Sequence, residues 1–248
     1  MVTYTALGNA PYLPWFLHRL AAQGVVAYPT PHHLAQHGWL PATWQGFLAD
    51  NTLLDLTTDN TEQLLATQTL AQQHGKTLIE VSGSFLPAGA AHGFMLLVGY
   101  SGELPNAAQL WLDAAAPAPG AWLPCGPVGS ARFTRYILDA MRFAWQQALA
   151  DLTPQSSQEP LHIDWQQLFQ KQLTLAENML ALARQYLKRH GLDHETLETS
   201  TVLGDFSTPA REQAHFAANL ARMIVLALGL GQAVQEIFSK IMQEPSGN

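Results

Sequence analysis

Charged residues are scarce in this chain of 248 residues. Asp, Glu, Lys and Arg make up 12% of it, about half of the usual share. Acidic residues outnumber basic ones by 19 to 12, which gives a formal net charge of −7. Because nucleic-acid binding needs clustered Lys and Arg, this balance excludes nucleic acid as the main partner. With so few charges, we expect another subunit to cover part of the surface.

Cysteine is almost absent. Cys125 is the only one, so the chain forms no internal disulfide and fits a reducing compartment. We expect Cys125 to be a small buried residue and not a nucleophile. The start of the chain lacks the basic and apolar regions of a signal peptide. The most apolar run, Met223–Leu230, is far shorter than the roughly 20 residues of a membrane span. We therefore expect a cytoplasmic protein without a membrane partner.

The first half of the chain alternates between strand and helix patterns. Val2–Leu7 predicts a strand with a turn at Gly8, a helix follows from Pro11 to about Gln23, and Val25–Tyr28 predicts a second strand. Further strands are predicted at Leu53–Leu56, Thr77–Val81, Phe94–Gly99 and Ala121–Pro124, helices at Asn60–His74 and Ala107–Ala115, and one or two short helices within His32–Leu48. This alternation predicts an α/β domain over residues 1–127 with a shortened, mostly parallel sheet.

The second half is helical by pattern. Apolar residues recur at helical spacing after Gly129 and predict a long helix from Ser130 to Leu152. A polar linker, Thr153–Pro160, follows it. Further helices are predicted at Trp165–His190, His194–Ser200, Pro209–Leu228 and Gln232–Met242, with a frayed tail at Pro245–Asn248. Residues 128–248 are thus expected to form an all-α domain.

Several segments resemble one enzyme family. Ala121–Ser130, with Gly126-Pro-Val-Gly129 before the long helix, resembles the G-P-x-G-x-G-x-x-x-K-x-x-x-N segment of the 6-phosphogluconate and β-hydroxyacid dehydrogenases. Glu80–Gly99 is similar to that family's D-x-P-V-S-G-G-P-A-G-A…V-G segment, and Ala183–Glu195 to its A-x-x-x-G-L-D segment. The resemblance implies a Rossmann-like NAD(P)-binding-type domain over 1–127 and a dehydrogenase-type helical domain over 128–248.

The cofactor turn departs from the family pattern. A dinucleotide-binding turn reads G-x-G-x-x-G, and its glycines let the pyrophosphate approach the helix N-terminus. Here Ala6–Pro11 keeps only Gly8, so Gly8, Asn9 and Ala10 are the remnant cofactor positions. Pro29 replaces the residue that binds the ribose. Two interpretations remain: a turn that needs no ligand, or residual nucleotide binding. We expect no cofactor, and NADP or NAD if there is one.

The chain is also too short for a complete dinucleotide-binding domain. About 24 residues separate Tyr28 from Leu53. A third strand, a crossover helix and a fourth strand cannot all fit into this length. In the family, these elements supply loops that cover the nicotinamide half of the cofactor. A local substitution cannot compensate for missing length, so this deletion argues against dinucleotide binding more strongly than the loss of glycines.

The substrate and catalytic motifs are altered as well. The family's S-G-G loop, which binds substrate carboxylate, becomes Ser84-Phe85-Leu86, with two apolar residues that fit a core or an interface. The catalytic Lys corresponds to Arg135 and the Asn to Asp139. Arg stays protonated and cannot take the hydroxyl proton, although it can hold an anion.

The positively charged residues of this helix admit two interpretations. Arg132, Arg135, Asp139 and Arg142 fall at helical spacing on one face. They form either a solvated face with internal ion pairs or a remnant anion pocket in which Arg132, Arg135 and Arg142 act with Ser84. Elsewhere, Ala218-Asn219-Leu220 stands where the family has K-D-L. His32, His33 and His37 are expected to be a surface cluster, so we predict no metal site.

Three functions remain open from the sequence. The first is a catalytically degenerate family member that acts as a binding or scaffolding protein, with a protein partner of the same pathway. The second is an active NAD(P)-dependent oxidoreductase on a hydroxyacid or imine-like substrate. The third is a small-anion sensor. The resemblance implies a homodimer through the helical domain, and apolar residues along Trp165–Tyr186 favour it independently.

Overall fold

A computed structural model describes residues 2–29, 38–57, 60–152, 165–192, 202, 204 and 206–243. The chain divides into two compact units. The first comprises Met1–Arg135 with Ala210–Ala217, and the second Tyr136–Pro209 with Ala218–Asn248. The predicted histidine cluster, linker, helix His194–Ser200 and frayed tail lie outside the described residues. No helix in the described part of the chain is long and apolar enough to cross a membrane.

The first unit contains one seven-stranded sheet. Its strands are β1 (Thr3–Leu7), β2 (Val26–Pro29), β3 (Gly46–Ala49), β4 (Thr52–Asp55), β5 (Thr77–Gly83), β6 (Leu96–Gly99) and β7 (Trp122–Gly126). Their spatial order is β2-β1-β3-β4-β5-β6-β7. Parallel pairs are β1 with β2, β4 with β5 and β6 with β7. The pairs β1–β3, β3–β4 and β5–β6 are antiparallel.

Helices cover both faces of the sheet because successive strand residues point to opposite sides. The helices of this unit are α1 (Leu13–Ala22), α2 (Thr61–Gln73), α3 (Gly89–His92), α4 (Asn106–Ala115) and the start of α5 (Ser130–Leu152). Leu54 packs into the core formed with α1 and α4, whereas Leu53 packs into a second core with α2. Asn60 caps α2 as predicted, since its side chain accepts hydrogen bonds from two backbone N–H groups.

The β3–β4 hairpin corrects one prediction. His32–Leu48 was assigned to short helices, but Gly46–Ala49 is a strand that pairs with both β1 and β4. Gly46, Phe47 and Leu48 end a segment of mixed polar and apolar residues. Three residues are too few to show the alternation of a strand, so the sequence pattern did not indicate β3. In the doubly wound fold the place beside the first strand belongs to a parallel fourth strand. An antiparallel hairpin strand occupies that place here.

The second unit is mostly helical in its described residues. It contains most of α5, with α6 (Trp165–Arg189) and α7 (Phe216–Gln243), and a short 3-10 helix, Ala210–Glu212, precedes α7 in the first unit. The prediction of two helices over Pro209–Met242 is wrong, because one helix continues through Gly229. The predicted α/β class of the first half and the all-α class of the second half are both confirmed.

Candidate functional site

The turn after β1 is where the dinucleotide-binding fold holds a pyrophosphate. In this chain it holds a side chain of the protein. Gln45 Oε1 accepts hydrogen bonds from the backbone N–H of Asn9 at 2.7 Å and of Ala10 at 2.8 Å. Gln45 Nε2 donates to Asn9 Oδ1 at 3.4 Å. The two N–H groups that a phosphate oxygen would approach therefore already bind an oxygen of the same size.

The sheet register places Gln45 at this turn. Gln45 precedes β3, whose first residue Gly46 pairs with Leu7 at the carboxyl end of β1. Gly8 has a φ of +109°, and a Cβ at this position would overlap the Gln45 side chain. The one retained glycine of the motif thus makes room for Gln45.

Two aromatic side chains fill the neighbouring part of the crevice. The Tyr12 hydroxyl donates a hydrogen bond to the Leu56 carbonyl oxygen, beyond the end of β4, at 2.8 Å. The Phe85 ring lies 5.1 Å from the Tyr12 ring and 5.0 Å from the Phe16 ring of α1. Phe85 therefore packs on the core, as expected for a non-catalytic loop, while Ser84 beside it is exposed.

The end of β2, where the dinucleotide-binding fold holds the ribose, also lacks a hydrogen-bonding side chain. Among the described residues β2 is the edge strand, with β1 as its neighbour. Pro29 at its end pairs with Ala6, and its side chain offers no hydrogen bond to a ribose hydroxyl. Among the described residues, Gln45 binds the N–H groups of the turn, Tyr12 and Phe85 pack beside it, and Pro29 gives a ribose no hydrogen-bond partner. These described residues do not fit NAD(P).

A buried ionic cluster lies at the same edge of the sheet, because Gly46 pairs with Leu7 at the end of β1 and with Asp55 at the end of β4. Arg132, on the first turn of α5, is 2% exposed. Its Nη2 lies 3.2 Å from Asp55 Oδ1 and its Nε 3.7 Å from Glu80 Oε1. Its guanidinium also donates to the Thr57 and Asn60 carbonyl oxygens. Arg132 is thus committed to internal partners at the carboxyl end of β4.

Glu80 holds the start of α5. Its carboxylate accepts hydrogen bonds from the backbone N–H of Gly129 at 2.7 Å, Ala131 at 3.2 Å and Arg132 at 2.9 Å. These donors lie at the start of α5, where backbone N–H groups have no hydrogen-bond partner within the helix. Burial raises the pKa of Glu80, although Arg132 and these N–H groups oppose the shift. The segment of family resemblance, Gly126–Ser130, is therefore tied to β5 by a buried carboxylate.

The rest of the predicted arginine face lies further along α5. Arg135 is half-buried. Asp139 pairs with Arg142 at 3.3 Å, and both side chains are solvent-accessible. Arg132 is not part of a solvated face, because Asp55, Glu80 and the Thr57 and Asn60 carbonyl oxygens surround its guanidinium. Arg142 forms a solvated ion pair with Asp139, as the interpretation of a solvated face with internal ion pairs predicts.

The remaining candidate positions have structural surroundings. Cys125 is buried as expected, and burial raises the pKa of its thiol to about 12, so it stays protonated. Ala218 and Asn219, at the K-D-L position, are buried in α7 of the second unit. No group of three His, Cys, Asp or Glu side chains in the described part of the chain could hold a metal ion.

The sequence pointed to the altered motifs but not to the side chain that fills the crevice. Gln45 lies 36 residues from Asn9, in a segment with no recognisable pattern. Asp55 follows a buried run of β4 and Glu80 interrupts another in β5. A carboxylate inside an apolar strand is rarely buried without partners, so both could have been singled out as members of an ionic cluster.

Neither a family model nor a curated protein matches the sequence. A solved imine reductase from Aspergillus terreus, in complex with NADPH4 and dibenz[c,e]azepine, is similar over 100% of this chain and 96% of its own, with 16% identity and a TM-score of 0.49. A 3-hydroxyisobutyrate dehydrogenase from Mycobacterium tuberculosis, with L-serine, is similar over 88% and 97%, with 14% identity and a TM-score of 0.45. Both belong to the β-hydroxyacid dehydrogenase family.

Proposed function

We propose that this chain is a non-catalytic member of the dehydrogenase-like proteins that its motifs resemble, and that it works as a binding or scaffolding homodimer. The observation that carries the proposal is Gln45 Oε1 on the N–H groups of Asn9 and Ala10. A pyrophosphate would have to displace this side chain and lose its contacts. The missing glycines and Pro29 offer nothing in exchange.

The catalytic positions support the same proposal. Arg135 stands where the family has its catalytic Lys, and a guanidinium does not release a proton at working pH. Arg132 is occupied by Asp55 and Glu80, and Arg142 by Asp139. Two of the three arginines of the anion-sensor interpretation thus have carboxylate partners of their own, which weakens that alternative.

The second unit supplies the surface for a second copy. Leu138, Met141 and Trp145 follow one another at i, i+3 and i+7 on α5, and each is exposed by 43% or more. Phe169 and Leu173 add exposed apolar area on α6. An apolar stripe of this length marks an interface more often than free surface. We assign it to self-association because the chain is poor in charge and a twofold contact needs only one self-complementary patch.

A thermal-shift assay with NADPH, NADH and ADP-ribose tests the functional proposal. A ligand at 100 times its Kd would stabilise the folded chain by about 2.7 kcal/mol. We expect no change in Tm with any of the three compounds. A clear increase with NADPH or NADH would reject the non-catalytic proposal and favour an oxidoreductase. An increase with ADP-ribose alone would show that the phosphate cradle opens while the nicotinamide half finds no site.

A further inference from the structure

Asp55 is surrounded by hydrogen-bond donors. Its Oδ1 accepts from the Thr57 backbone N–H at 2.9 Å and from Arg132 Nη2 at 3.2 Å. Its Oδ2 accepts from the Trp44 indole Nε1–H at 2.7 Å. Asp55 is 1% exposed, so water does not share in these contacts. An ionised carboxylate fits this arrangement, whereas a protonated one would direct an O–H at another donor.

The Trp44 indole N–H is held by this carboxylate. The indole is 1% exposed and packs among Leu7, Leu53 and other buried residues of the α2-side core. The absence of a Cβ at Gly46 leaves room for the ring. The next residue, Gln45, donates its backbone N–H to Thr57 Oγ1 at 3.0 Å. The segment that fills the crevice is therefore fastened at Asp55 and Thr57.

We propose that Asp55 is a proton-operated latch on the segment Trp44–Gln45. In the ionised state, Asp55 holds the indole N–H and keeps Gln45 at the turn after β1. A proton from solvent on Oδ2 places an O–H against the indole N–H, and this contact breaks. Arg132 keeps its contacts with Glu80 and the two loop carbonyls. The fold therefore stays intact while the segment is released.

Charged and titratable groups reach Asp55 from each neighbouring element. Arg132 of α5 contacts it directly, and Glu80 of β5 is its register partner in the parallel pair. Burial raises the pKa of Glu80 as well. The three N–H groups that Glu80 accepts at the N-terminus of α5 and the helix dipole there favour its ionised form, so we assign the proton to Asp55. The Cys125 thiol of β7 faces Glu80 and stays neutral. The single positive charge of Arg132 balances only one of the two buried carboxylates, so the other carboxylate can take up a proton.

The pH window follows from burial. Burial raises the pKa of Asp55 from 3.8 to about 6, against the lowering effects of Arg132, Thr57 and Trp44. The folded chain therefore takes up this proton at a higher pH than the unfolded chain. The proton on Asp55 therefore stabilises the folded chain. This contribution is fully present below pH 3.8 and is lost as the pH rises through about 6. The latch thus opens within a folded molecule.

Hydrogen exchange of the Trp44 indole N–H tests the latch without any ligand. Protection is measured by NMR at about pH 7.5 and about pH 5, corrected for the intrinsic exchange rate. We expect protection to fall at least about tenfold at the lower pH, and to be low at both pH values in Asp55→Asn. Trp122, on β7, is the matched control, because its Nε1 also donates to an aspartate, Asp113 Oδ1, at 2.9 Å.

The outcomes separate the latch from general loosening. Trp44→Phe assigns the resonance. Unchanged Trp44 protection across the pH range would overturn the proposal, as would an Asp55→Asn variant with wild-type protection. A parallel fall in Trp122 protection would also overturn it, since the effect would then be global. If Asp55→Asn does not fold, the comparison of the two indoles in the wild-type chain decides alone. The result is independent of dinucleotide binding.

Discussion

Gln45 is the residue on which the account of the crevice depends. Its side chain replaces a ligand oxygen by an amide oxygen of the chain, and it does so on two N–H groups near the start of α1. The sequence predicted that the turn was altered, because glycine loss is visible locally. It could not predict the replacement, because Gln45 and Asn9 are brought together by strand register. Long-range contacts of this kind leave no periodic signal.

Replacing Gln45 by Ala should destabilise the chain modestly. The variant leaves the N–H groups of Asn9 and Ala10 without their side-chain acceptor. Since Asn9 is exposed, water takes over part of this role, and we expect a loss of about 1 kcal/mol. Urea unfolding measures it. Gln72→Ala, at an exposed position of α2, is the control and should change stability less. Equal midpoints for both variants would mean that the Gln45 contacts contribute nothing to stability.

At the scale of elements, the start of α5 depends on Glu80. The sequence predicted the bounds of this helix, Ser130 and Leu152, because its apolar residues recur at helical spacing and glycine precedes it. The surroundings of Arg132 could not be predicted in this way. Helical spacing shows which residues share a face but not what covers that face. Here the β4–α2 loop covers the first turn, so the exposed face begins further along the helix.

Replacing Glu80 by Gln should be severely destabilising. The amide would turn an N–H₂ toward donors on α5 and leave Arg132 with less compensating charge. Breaking a buried ionic cluster in this way costs about 3–5 kcal/mol. Chemical denaturation would measure the loss as a lower midpoint. Glu103→Gln, at an exposed loop position, should leave the midpoint within about 0.5 kcal/mol of wild type. A mild effect at Glu80 would show that its carboxylate is not needed to fix the helix.

At the scale of the whole molecule, the sequence predicted the α/β and all-α classes but not the strand order. Alternation of strands and helices predicts parallel pairs, and three are present. The β3–β4 hairpin was missed because its first strand, Gly46–Ala49, shows no apolar period of its own. In the described part of the chain, β2 is the edge strand and no third strand pairs with it.

Self-association is the prediction that belongs to this scale. Light scattering at micromolar concentration should give about twice 27.1 kDa. Trp145→Glu places a charge on the exposed stripe of α5 and should shift the mass toward that of one chain, because a buried unpaired charge is costly. Met95→Glu, at a position 75% exposed in the first unit, should leave the mass unchanged. A mass of 27.1 kDa measured for the wild-type protein in solution, which is the mass of one chain, would contradict the proposed homodimer.

The closure of the dinucleotide crevice by Gln45 is tested most directly at the two N–H groups themselves. The measurement is a titration of the ¹⁵N-labelled wild-type chain with NADPH, observing the backbone amide signals of Asn9 and Ala10. Both N–H groups already donate to Gln45, so the account predicts that neither signal moves up to millimolar NADPH. A saturable shift of both signals with a micromolar Kd would show that the cofactor displaces Gln45, and would contradict the account.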